Sequence, residues 1–333
     1  MLTIPEEGLF GLDISQGKLR LAQVRTIHRR KVVTALRAAD VPDGLIVEGQ
    51  IADPNRLTQL IASLVRGRSH RERVLGNGVI SVLPETKTFI KLITVSGTTP
   101  AEVAMALPEE IARHIPLPVE EIYYDWQFVG VPRPGHSHVL IGAAPRQLVD
   151  VYLMVLRDAG LLPFAMEIEA LPITRCLLSA ETAESEGSQV IIDFGAARTG
   201  LIVVRDGVVQ FTVSLPISGA SITLRIAETL KISHHEAEQA KLVCGLDPER
   251  CQGALRRVLD ATLDELAKKI EEAVTFYKEN FEDHRPIRRI TLAGGGANFR
   301  SIDRVLSDQL QLPVVIANPL ANVALVNRSL GMG

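Results

Sequence analysis

Cysteine is nearly absent from this chain of 333 residues, which holds three. Cys176, Cys244 and Cys251 form no Cys-x-x-Cys pair and are odd in number. A disulfide framework is therefore not expected, and the thiols of a reducing cytoplasm are. No run reaches the ~18 uninterrupted apolar residues of a spanning helix. Residues 1–10 carry Glu6 and Glu7 and no basic segment, so a signal peptide is not expected. An excess of one charge is also missing: the net charge is −3, which argues against nucleic-acid binding through overall charge. There is no His-Glu-x-x-His and no Gly-x-Ser-x-Gly, so metalloprotease and serine-hydrolase chemistry lack their motifs. His136, His138, His234 and His235 have no Cys or carboxylate partners at ligand spacing, and no site of the zinc type is expected.

What is present is an ordinary globular composition, 46% hydrophobic and 23% charged, at a length that suits two or more domains. Two local basic clusters stand out, Arg25–Lys31 and Arg66–Arg73. Each reads either as a solvated tip or loop or as a contact for anionic lipid headgroups. Residues 9–40 read as three strands, with a turn at Gly17 and Lys18. Asp53 before Pro54 caps a helix to about Val65, and Val79–Leu83 is a buried strand. A strand–helix–strand–strand–helix module follows. Its parts are a strand at 88–95, a helix from the Thr99/Glu102 cap to His114, strands at 122–128 and 139–144, and an amphipathic helix at 147–159. The polar stretch 181–188 marks a boundary. Three strands then repeat the layout of the first 36 residues, with Asp206 and Gly207 as a hairpin turn. Ser233 and Glu236 form a capping box, and a long helix is expected from about Pro248 to Asp283. A strand at 289–293, a helix at 302–310 and a strand at 314–316 close the chain.

Three glycine-bearing segments carry the chemistry: 9–15 (LFGLDIS), 190–196 (VIIDFGA) and 290–296 (ITLAGGG). Each is an apolar, β-prone run that breaks into a turn, and such runs are strands buried on both faces. Successive amides in a glycine turn form a concavity for phosphate. An aspartate beside it, Asp13 or Asp193, suits Mg²⁺ through water or directly. Two such turns about 180 residues apart by their numbering, with a third glycine turn behind them, point to two similar halves closing on a nucleotide.

In this order the segments resemble those of the actin-like ATPase superfamily, and within it the chain is similar to the PilM family of type IV pilus assembly proteins, related to FtsA. The resemblance rests on residues 11–15, on 109–128 with Ile115–Pro118 and Tyr124–Gln127, on 148–161, on 191–195, on 219–241 and on 292–297. It implies an α/β, ribonuclease H-like two-domain fold with an inserted small α+β subdomain. The expected division is 1–84 with 165–185, the insert at 85–164, and 186–333 with a mostly helical part at 219–287. It also implies ATP and Mg²⁺, with Asp13 and Asp193 serving the metal. The nucleotide candidates are Asp13, Ser15, Gln16, Gly17, Lys18, Asp193, Gly195, Ala196, Thr199, Glu238, Lys241, Gly294, Gly295 and Gly296.

The implied partner is the N-terminal cytoplasmic tail of a PilN-like bitopic inner-membrane protein, with other pilus platform proteins as further partners. The tail is expected in a groove near 89–95 and 111–117. The place is cytoplasmic, peripheral to the inner membrane and reached through partners. Two departures from the family pattern bear on affinity: Gln16 and Lys18 in the first turn, and Ala197 and Arg198 in the second. No residue that orients an attacking water is assigned, so slow or absent hydrolysis is expected. A protein-binding module without nucleotide and a small-molecule kinase of the same superfamily are the alternatives.

Overall fold

The computed structural model describes residues 8–67, 74–130, 134–178, 187–281 and 285–325. Most of the basic cluster at 66–73 and most of the polar stretch at 181–188 lie outside these residues. The chain divides into two compact units, Met1–Pro172 with Pro319–Gly333, and Ile173–Asn318.

The first unit is built on β1 (Leu9–Ile14), β2 (Lys18–Ile27) and β3 (Arg30–Asp40), an antiparallel meander. Alternation is clean where the sheet is covered: Phe10, Leu12 and Ile14 of β1 and Leu19 and Leu21 of β2 point to the core. A short hairpin, β4 (Ile46–Val47) and β5 (Gln50–Ile51), leads to helix α1 (Pro54–Arg66). The Asp53 side chain caps α1 by accepting the Arg56 amide at 3.0 Å. Strand β6 (Gly78–Leu83) then pairs parallel to β1.

The chain next leaves this sheet to build a smaller one, ordered β7–β9–β8 and wholly antiparallel: β7 (Phe89–Ser96), β8 (Ile122–Phe128) and β9 (His136–Pro145). Helix α2 (Pro100–His114) packs on it through Val103, Leu107 and Ile111, which join Ile93, Val95, Val139 and Ile141 in a separate core. A complete Thr99/Glu102 capping box starts α2.

Helix α3 (Arg146–Asp158) follows, and here the structure departs from the order along the chain. Val149, Tyr152, Val155 and Leu156 enter the core of the first sheet with Leu57 and Ile61 of α1, not the core of the small sheet. Tyr152 also donates its hydroxyl to the Gly49 carbonyl at 2.9 Å. Strand β10 (Leu162–Ile168) then returns to the first sheet, parallel to β6. The chain passes through helix α4 (Ala170–Leu177) into the second unit.

The second unit has a sheet of β11 (Ser188–Phe194), β12 (Thr199–Arg205), β13 (Val208–Leu215), β14 (Ile287–Ala293) and β15 (Val314–Ile316). Its order is β13–β12–β11–β14–β15. The first unit repeats this as β3–β2–β1–β6–β10 and adds β16 (Ala324–Leu325) beside β3. In both, an antiparallel meander is extended by two strands parallel to its first member. The duplication expected from the sequence is thus present as sheet topology.

Helices α5 (Gly219–Leu230), α6 (His234–Cys244), α7 (Ala254–Asn280) and α8 (Ile302–Leu310) complete this unit. Helix α7 buries Leu255, Leu259, Leu263, Leu266, Ile270 and Tyr277 at helical spacing.

Two expectations are corrected here. Helix α7 starts at Ala254, not near Pro248, because Cys251, Gln252 and Gly253 all have left-handed backbones, with φ of 48°, 54° and 65°. No α-helix passes through three such residues. Their turn brings Cys251 back to the end of α6, where it forms a disulfide with Cys244 across a Cα separation of 5.7 Å. These two cysteines were expected as thiols.

Candidate functional site

In the first unit the turn from Ser15 to Lys18 is closed twice onto the Lys18 carbonyl, by the Ser15 amide at 3.1 Å and the Ser15 hydroxyl at 2.8 Å. This fixes the register, and Asp13 on β1 faces Arg20 on β2. The Arg20 guanidinium donates to Asp13 Oδ2 at 2.8 Å and to Ser15 Oγ at 3.3 Å. The other carboxylate oxygen, Asp13 Oδ1, is buried without a hydrogen-bond partner. Burial pushes the Asp13 carboxyl above its ordinary range, and Arg20 opposes that rise without cancelling it.

Lys18 pairs with Asp40 at 2.7 Å. Gln16 and Gly17 are exposed, and a Cβ at Gly17 would meet nothing within 4 Å. Arg20 was not among the candidates. The signal for it was the turn itself: a four-residue turn from Ser15 to Lys18 puts residue 20 opposite residue 13.

In the second unit the turn after Asp193 is drawn tight by the Gly195 amide, which donates to the Arg198 carbonyl at 2.9 Å. A Cβ at Gly195 would sit 2.8 Å from that same oxygen. The start of α5 docks on this turn: the Gly219 and Ala220 amides donate to the Gly195 and Ala196 carbonyls at 3.0 and 2.9 Å. Ser218 caps α5 by accepting the Ser221 amide at 3.1 Å.

The third glycine segment packs against the same turn. At Gly294, with φ of 78°, a Cβ would lie 2.5 Å from Asp193 Oδ1 and 2.6 Å from the Phe194 carbonyl. At Gly296 it would lie 2.5 Å from the Phe194 ring. Gly295 faces open space. Gly294 and Gly296 therefore permit close packing of two turns, and Gly295, exposed and with open space at its Cβ position, takes no part in that packing.

Glu238 and Lys241 of α6 join in an ion pair of 2.7 Å that also ties α6 to α5. Lys241 Nζ donates to Thr223 Oγ1 at 2.8 Å and to the Gly219 carbonyl at 3.2 Å. Thr223 Oγ1 lies 2.6 Å from Glu238 Oε2. Burial pushes the Glu238 carboxyl up, but the hydrogen bonds from Lys241 and Thr223 outweigh it and hold the group below its ordinary value. Thr223 and Gly219 thereby join the candidate set.

Thr199 leaves it. It is fully buried, and its hydroxyl donates to the Ile217 carbonyl at 2.6 Å, so it braces β12 against the segment before α5.

The second unit thus brings together Asp193, Gly195, Ala196, Gly219, Thr223, Glu238, Lys241 and Gly294–Gly296. The first brings together Asp13, Ser15 and Arg20, with Lys18 turned toward Asp40. The unpartnered Asp13 oxygen and the open face at Gly295 suit a cation-bearing ligand and a flat ring, respectively. Arg20 on Asp13 Oδ2 already supplies one positive charge there.

The profile of the type IV pilus assembly protein PilM family matches residues 11–330. Among solved structures the chain is similar to one from a PilM–PilN type IV pilus biogenesis complex, with a TM-score of 0.80 and 25% identity, covering 96% of this chain and 91% of that one. It shares a fold with MreB5 of Spiroplasma citri bound to AMPPNP, with a TM-score of 0.52 and 16% identity over 93% of this chain and 91% of that one. The cell division protein FtsA of Borreliella burgdorferi is 23% identical over 66% of this chain, and the match spans only 56% of that protein. The fold is the actin-like one, and the chain belongs to the type IV pilus assembly protein PilM family.

Proposed function

We propose that this chain is a nucleotide-binding scaffold of a type IV pilus or related assembly platform, which captures the N-terminal cytoplasmic tail of a PilN-like bitopic inner-membrane protein. It works at the inner face of that membrane, held through partners. The observation that carries the reading is the likeness, over nearly the whole of both chains, to a structure from a PilM–PilN complex. Among the described residues no helix is long and apolar enough to cross a membrane, which accords with attachment through a partner.

A surface hollow of about 350 Å³ on the small subdomain supports tail capture. It is lined by Ala112, Ile115, Pro116 and Leu117, within the segment expected to line the groove, and by Pro118 and Val119 just beyond it. An apolar hollow of this size takes one or two side chains of a peptide, with the rest of the tail lying along the surface.

The nucleotide is ATP with Mg²⁺. The residues of the second unit that would hold it are Asp193, Gly195, Ala196, Gly295, Glu238 and Lys241. With Asp193 as the carboxylate beside this turn, Mg²⁺ would keep several waters and take its remaining ligands from phosphate. Lys241 is held by the Glu238 carboxylate, the Thr223 hydroxyl and the Gly219 carbonyl.

A second reading, a partner-binding fold without nucleotide, is favoured by the ion pairs that already engage Asp13 and Lys18. Pull-down of solubilised inner membranes with the full chain tests tail capture. A single-span protein with a short cytoplasmic N-terminus should be retained, and deleting its tail should release it. Retention without the tail would refute the reading.

A further inference from the structure

The β2–β3 hairpin ends in a cationic tip. His28 and Arg29 form its turn with φ of 49° and 63°, the left-handed pair that suits a two-residue hairpin connection. His28, Arg29, Arg30 and Lys31 are exposed, and Arg25 is partly so. Among the described residues none of these five makes an ion pair. The sequence holds no acidic residue between Asp13 and Asp40, and seven Lys and Arg residues lie in that interval. One apolar side chain, Ile27, stands 36% exposed at the tip on the face of Arg25 and Arg30, while Val24, 40% exposed, lies on the opposite face. In a chain whose net charge is −3, this is a strong local excess of positive charge.

The tip is remote from the turn at Asp13. From Arg20 to Ile27 the strand rise gives roughly 23 Å. Its cations therefore cannot serve the turn at Asp13. Unpaired surface cations at this density repel one another, and an opposing anionic surface relieves that cost. An exposed isoleucine at a cationic tip suits the boundary of a bilayer better than the groove of a nucleic acid.

We propose that the tip of the β2–β3 hairpin docks on an anionic lipid surface, with Arg25, Arg29, Arg30 and Lys31 against phosphate headgroups and Ile27 at the level of the glycerol. The contact is independent of tail capture, so either can fail without the other.

The test is flotation of the full chain with vesicles of phosphatidylcholine alone, and with about 30% phosphatidylglycerol added. Binding is expected only to the anionic vesicles and should weaken as salt rises. The combined Arg25→Gln, Arg30→Gln and Lys31→Gln variant should bind about a hundredfold more weakly, on the order of fivefold per charge. Arg25→Lys with Arg30→Lys should bind as the parent does, which separates lost charge from lost fold. Equal partition to both vesicles, undiminished binding by the triple variant, or capture by soluble heparin without vesicle binding would each overturn the proposal.

Discussion

The glycines of the third segment are alike in sequence and unlike in role, and substitution should separate them. Gly294→Ala places a methyl 2.5 Å from Asp193 Oδ1 on a backbone of positive φ, so a loss of about 1–3 kcal/mol in unfolding free energy is expected. Gly295→Ala has room and should leave stability within about 0.5 kcal/mol, while weakening any ligand that rests on that backbone. Chemical denaturation of both variants checks the contrast; equal losses would deny it.

Asp13 makes a pH-dependent prediction. Its folded carboxyl titrates above the unfolded value of 3.8, so the folded state holds the proton more tightly. Its favourable contribution is complete below that value and disappears as pH rises through the folded pKa. Asp13→Asn should therefore raise the melting temperature at pH 7 and give a smaller gain near pH 4. A larger gain at the acid end would contradict this. At this scale the sequence made Asp13 and Asp193 legible as turn aspartates. The Arg20 contact with Asp13 was missed because it comes from cross-strand register, and the burial of Thr199 was not foreseen because burial is not written in a residue's type.

At the level of elements, local signals were read well where chemistry is local. The Thr99/Glu102 and Ser233/Glu236 boxes both start helices where expected. The cap of α5 was not seen, because its third position is Ser221 and not a glutamate. Helix α3 illustrates a different limit: its amphipathic pattern says that it buries a face, but not which sheet receives it.

The Cys244–Cys251 loop was hidden for a third reason. Cys251 and Gln252 adopt positive φ without being glycine, and no residue type announces that. Closing so short a loop restricts the unfolded chain modestly, so reduction should lower stability by about 2 kcal/mol. Thermal melts with and without a dithiol check this. Cys251→Ser should melt at the reduced value in both, and a melt of the parent that ignores the reductant would exclude a stabilising crosslink.

For the whole molecule, the duplication was the most legible feature, since each half repeats apolar strand, glycine turn, strand and hairpin. The two sheets share their order, and each half sets an aspartate at the end of its first strand. What the order of segments did not reveal is how far each turn is already satisfied from within, through Arg20 in one unit and the Gly219 and Ala220 amides of α5 in the other. That pre-satisfaction is what sets the nucleotide-binding reading against the one without nucleotide.

Thermal unfolding of the full chain with increasing Mg-ATP decides between them. A ligand at a hundredfold excess over its dissociation constant adds about 2.7 kcal/mol. The account predicts a saturating rise in melting temperature that is lost in Asp193→Ala, with the variant itself still folded. A melting temperature that stays flat to millimolar Mg-ATP, or one that rises equally in Asp193→Ala, would contradict it.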